Sequence, residues 1–63
     1  MPFIMIEGPP IKDLDLKRRL VKELSEAAVN AYHLPIEKIH VLIRENPPEN
    51  VGTGGGLLYD KKR

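Results

Sequence analysis

Apolar and polar positions fall into three blocks with different periods. Residues 3–6, Phe3-Ile4-Met5-Ile6, form an unbroken apolar run. At that length it predicts a strand buried on both faces, as in a parallel sheet. Gly8-Pro9-Pro10 then stops it. In the second block Leu16, Leu20, Val21, Leu24, Ala27, Ala28, Ala31 and Tyr32 recur at helical spacing. Lys17, Arg18, Lys22, Glu23 and Glu26 take the opposite face. The pattern predicts an amphipathic helix of about five turns. Asp13 is its N-cap, Asp15 adds negative charge to the first turn, and His33 stands near its C-terminal dipole. Leu34-Pro35 ends it. The third block, residues 39–44, is a second strand rich in β-branched residues.

Residues 46–50 read as a loop, and residues 51–59 as a glycine-rich hairpin or bulged ribbon. Residues 60–63 read as a polar tail. The fold class is therefore α/β. A single domain, residues 1–63, has the order β–α–β plus a short C-terminal hairpin. A helix between two apolar strands implies a crossover connection and a parallel pair. Two strands and one helix cannot enclose a core, so the sheet is expected to extend into another subunit.

Composition points the same way. A chain of 63 residues buries only about 60% of its unfolded surface. It contains no cysteine, which removes disulfides and thiolate metal sites. Association with copies of itself is the remaining source of burial. A net charge of +1 gives no general attraction to nucleic acid. No apolar run approaches the ~20 residues that cross a bilayer. Residues 3–6 are too short for a signal-peptide core, so a cytoplasmic protein is expected.

Candidate chemistry is sparse. Pro2 heads the first strand. There a proline costs the sheet least, but removal of Met1 would also turn it into a rigid secondary amine. His33 reads as a surface residue, and His40 either as a core histidine bonded to a backbone carbonyl or as a donor to a ligand. The two are not at metal-ligand spacing. Gly52-Thr53-Gly54-Gly55-Gly56 lacks the lysine ending of a phosphate loop. Its glycines more simply permit close backbone approach.

Four features in register resemble the 4-oxalocrotonate tautomerase family. They are Pro2, the helix segment "KELSEAAVNAY", the stretch "LPIEKIHVLIRE" and the late "VGTGGG". The resemblance covers nearly the whole chain. It implies β–α–β protomers whose sheets join in dimers, usually assembled as trimers of dimers, and catalysis without a cofactor or metal. It implies keto–enol isomerisation of a 2-hydroxydienoate or similar enol acid, with Pro2 as general base after Met1 is removed. The family's first substrate-binding arginine falls on Lys12, its second on His40, and its aromatic wall on Val51. Lysine keeps the charge but not arginine's planar fork, while histidine and valine depart from the pattern; the lysine and histidine changes weaken dianion binding, which implies a smaller or less charged substrate. Strand alternation puts Arg44 on the face of His40 and Leu42, where it is expected to replace some lost charge. Two alternatives stay open: a dehalogenase- or hydratase-type use of Pro2, and a non-catalytic oligomer of the same fold.

Overall fold

The computed structural model describes residues 1–61. Its main body is strand β1 (Phe3–Gly8), helix α1 (Leu14–Tyr32) and strand β2 (His40–Glu45). β1 and β2 pair in parallel, from Phe3 opposite His40 to Gly8 opposite Glu45. The C-terminal part is a small antiparallel hairpin, β3 (Gly52–Thr53) and β4 (Gly56–Leu57), flanked by 3₁₀ turns at Pro48–Asn50 and Leu58–Asp60. Gly54 and Gly55 form its two-residue loop at φ 61° and 86°. Positive φ at both positions is what a tight hairpin of this twist requires. Asp60 of the expected tail belongs to the last turn; residues 62 and 63 lie outside the described residues.

Helix α1 starts where the sequence predicts. Asp13 is extended, and its carboxylate accepts the Asp15 N–H at 2.9 Å. At the other end His33 adopts the left-handed conformation, φ 58°, and donates its N–H to the Val29 carbonyl at 2.8 Å. His33 is thus the C-cap itself. Its backbone closes the helix, and the last turn holds no basic residue.

Both strands differ from expectation at their ends. β1 runs on through Glu7 and Gly8, because Gly8 still pairs with Glu45 and its carbonyl accepts the Asn46 N–H at 2.9 Å. β2 begins one residue later than expected. Ile39 instead closes the 3₁₀ turn Ile36–Lys38 with an N–H to the Ile36 carbonyl, and is buried there.

The helix covers one face of the sheet. Glu45 reaches Lys17 of α1, so Val41 and Ile43, with their partners Ile4 and Ile6, share the helix side. Ser25 and Ala28, three apart on α1, are buried against it. The other face carries Phe3, Met5, Glu7, His40, Leu42 and Arg44. There Phe3 and Met5 remain 64% and 60% exposed. Two-sided burial of β1 is therefore not achieved within one protomer. Among the described residues only Ser25, Ala28 and Ile39 are buried. That leaves a helix laid on half a sheet, with its apolar underside open.

Candidate active site

Parallel register divides the predicted site residues between two ends of the sheet. At the first end, His40 donates its backbone N–H to the Pro2 carbonyl at 3.2 Å. This extra rung holds the half-buried Pro2 beside the start of β2. The Phe3 and His40 rings meet edge to face, with centroids 5.7 Å apart and planes at 82°. Among the described residues the His40 ring hydrogen-bonds to no protein group. The structure therefore gives it an aromatic neighbour in place of the expected carbonyl. Met1, Phe3 and His40 line a shallow cavity of about 230 Å³ here. With Met1 attached, the Pro2 nitrogen is an amide and carries no basic lone pair.

The second end holds Lys12, Arg44 and Val51. Lys12 is exposed on the connection between β1 and α1. Arg44 lies opposite Glu7, with Nη1 3.7 Å from its carboxylate. Both side chains are well exposed, so the pair is weak. Val51 lines a second cavity, also about 230 Å³ and largely apolar, with Gly8, Pro9, Asn46 and Leu58. Five register steps of ~3.3 Å separate the two ends, about 16 Å along the strands. One protomer therefore brings Pro2 to His40 and keeps both away from Lys12, Arg44 and Val51.

The second end is the better tied of the two. Glu45 accepts the Ile11 N–H at 3.0 Å and the Lys17 ammonium at 2.7 Å, both on Oε2. The Lys17 hydrogen bond, seconded by the Ile11 amide, holds the Glu45 carboxyl below its ordinary range. Sequence reasoning missed Glu45 and Glu7. Isolated acidic residues at strand ends carry no periodic signal, although strand pairing would have placed Glu7 against Arg44.

Among the described residues no group of three or more metal-ligating side chains converges, and no helix is long and apolar enough to cross a membrane.

A family model described as "Tautomerase enzyme" matches residues 2–61. The chain is 41% identical over 39 residues to 2-hydroxymuconate tautomerase of Pseudomonas sp. (strain CF600), a stretch spanning 62% of either protein. That is less than two thirds of the relative's own length. Among solved structures, DmpI from Archaeoglobus fulgidus superposes with a TM-score of 0.82 at 39% identity, over 94% of this chain and all of that one. A protein from Chloroflexus aurantiacus described as a heterohexamer 4-oxalocrotonate tautomerase gives 0.84 at 26% identity, over 98% and 100% of the two chains.

Proposed function

Because the chain belongs to the tautomerase enzyme family, we propose that it is a cofactor-independent isomerase of the cytoplasm. It converts a 2-hydroxydienoate or similar enol acid to its keto form, with Pro2 as general base after removal of Met1. The observation that carries this reading is the place of Pro2. The family match starts there, and the residue stands half-buried at the sheet end beside Phe3 and His40.

An α-amino group titrates close to neutrality. Apolar surroundings and nearby cations both favour its free base. The uncharged Pro2 amine takes a proton from the enol, and the resulting ammonium returns it at a vinylogous carbon. No proton is consumed overall, and no redox partner is required. Charge builds on the substrate oxygens in between, and Lys12 steadies that charge or holds a carboxylate. His40 donates one hydrogen bond to a carbonyl. A lysine presents a point charge, and histidine a single ring N–H, where arginine presents a planar fork. The site therefore favours a smaller or less charged acid than a dicarboxylate. Arg44 adds charge already half-answered by Glu7.

The separation of about 16 Å supports a site assembled between protomers. Edge-to-edge pairing about a two-fold axis runs neighbouring strands in opposite directions. It thereby sets the Pro2 end of one sheet beside the Lys12 and Val51 end of the next. Three such dimers would give a hexamer and cover the open face at Phe3 and Met5.

A second reading, a non-catalytic protein of the same fold, has the departures at His40 and Val51 behind it; retention of Met1 would leave it no amine. A protein that keeps Met1 is a scaffold of the same fold. Intact mass of protein from its native host separates the two, since the enzyme must lack the Met1 mass. Ketonisation of phenylenolpyruvate and 2-hydroxymuconate is then compared between wild type and Pro2→Ala. Replacing the rigid ring amine with a primary amine predicts a fall in kcat, at most the ~10²–10⁴-fold of a lost general base. Equal rates would remove Pro2 from the mechanism.

A further inference from the structure

We propose that Glu45 is a positioning residue for the anion-binding lysine: by holding the Ile11 N–H it fixes the segment that presents Lys12. The inference rests on the reading of Lys12 as the substrate-anion contact.

The connection between β1 and α1 is Pro9-Pro10-Ile11-Lys12-Asp13. Its two prolines have no N–H to give. Ile11 is thus the first backbone donor after the strand, and its partner is the Glu45 carboxylate, 34 residues away in sequence. On the far side of Lys12, Asp13 is fixed as the helix N-cap. Lys12 therefore hangs between two anchored residues. The strand before the loop is tied as well, by the Asn46 N–H on the Gly8 carbonyl.

The same Glu45 oxygen takes the Lys17 ammonium at 2.7 Å. Lys17 belongs to the first turn of α1, so one carboxylate oxygen joins the end of β2, the loop and the helix start. A charge-assisted bond from a backbone N–H is about twice as strong as a neutral one. Both partner side chains, Lys17 and Glu45, are 28% exposed, against 54–88% for the ion pairs along α1. Glu45 is thus the most sheltered carboxylate among these pairs, and the one that reaches outside its own element to a backbone group. A lysine with four rotatable bonds holds an anion well only if its backbone is already in place.

The experiment is steady-state ketonisation of phenylenolpyruvate by the full chain, with Lys12→Ala, Glu45→Ala, Glu45→Gln and the Lys12→Ala/Glu45→Ala double variant. Lys12→Ala and Glu45→Ala should each raise KM about tenfold, and Glu45→Ala, which keeps the lysine, should leave kcat within about threefold. Glu45→Gln keeps an acceptor for the Ile11 N–H and should stay within about threefold of wild-type KM. The double variant should be no worse than Lys12→Ala alone, since both changes disable one contact. Amide hydrogen exchange should speed up most at Ile11 in Glu45→Ala and stay unchanged along α1 beyond the first turn that Lys17 belongs to. A purely structural role would instead loosen α1 and lower kcat. A raised KM for Lys12→Ala with none for Glu45→Ala overturns the inference and leaves the function standing, as do additive effects in the double variant. An unchanged KM for Lys12→Ala removes both the inference and the role of Lys12, while Pro2→Ala still reports separately on the catalytic reading. A wild type without activity overturns both.

Discussion

The two ends of the β1–β2 pair are built by opposite means. At the Gly8–Glu45 end, polar bonds knit β2, the loop and α1 together: Ile11 and Lys17 on Glu45, Asn46 on Gly8, and the Asp13 cap. At the Phe3–His40 end a single backbone rung and one ring contact hold Pro2, next to apolar side chains left in the open. On the proposed reading, the protomer finishes the end that would bind an anion and leaves open the end that would move a proton. The proposed assembly would suit a base that must stay uncharged, because apolar closure there would remove water from Pro2.

The largest effect should follow from breaking that closure. Phe3→Asp puts a charge into the open apolar face. Native mass spectrometry should show assembly reduced to small species, with activity lost alongside. A full-size assembly carrying Phe3→Asp would mean that the face is not an interface.

A smaller effect probes the knitted end. The folded Glu45 carboxyl titrates below its ordinary 4.5. Between the two values the unfolded chain binds more protons than the folded one, so stability rises with pH there. The Lys17–Glu45 contribution should be complete above pH 4.5 and disappear as pH falls through the depressed value. Lys17 is the charged group facing Glu45, while its neighbour Arg44 turns to Glu7 on the other face. Melting temperatures of wild type and Glu45→Gln should differ by a constant amount near neutral pH and converge in acid. A gap that persists below the depressed value would contradict the ion-pair account.

The smallest effect serves as a control tied to neither end. His33 holds a left-handed backbone that glycine adopts without strain. His33→Gly should raise stability by about 1 kcal/mol, measured by urea unfolding, with KM and kcat unmoved. A loss of stability would give the His33 side chain a role beyond the cap.

Much of the fold was legible in the sequence. The apolar run at residues 3–6, the helical recurrence from Leu16 to Tyr32 and the β-branched run before Arg44 fix β–α–β, and Gly54-Gly55 marks the hairpin loop. Asp13 announces the helix start because a carboxylate there has one evident use, to satisfy a free N–H. The strand ends were less legible, since Gly8 and Glu45 are ordinary turn and surface types whose pairing depends on register. Ile39 reads as strand in the sequence because a buried isoleucine looks alike in a strand and in a tight turn. For the candidate site, the sequence offers a set of residues to propose and says nothing of where they lie. Pro2 and Lys12 lie ten positions apart in sequence, with a full strand between them, and resemblance transfers residue identities without distances. Strand arithmetic alone would have exposed the split: six paired residues cannot bring their two ends together.

The most direct measurement mixes two crippled proteins. Pro2→Ala replaces the rigid ring amine with a freely rotating primary amine, and Lys12→Ala lacks the anion contact. Unfolded together and refolded, they form assemblies in which some sites pair an intact Pro2 from one chain with an intact Lys12 from another. At substrate well below KM, the mixture should clearly exceed the summed activity of the two proteins refolded separately. Activity equal to that sum, in assemblies shown by native mass spectrometry to contain both chains, would mean that each site is built within one protomer.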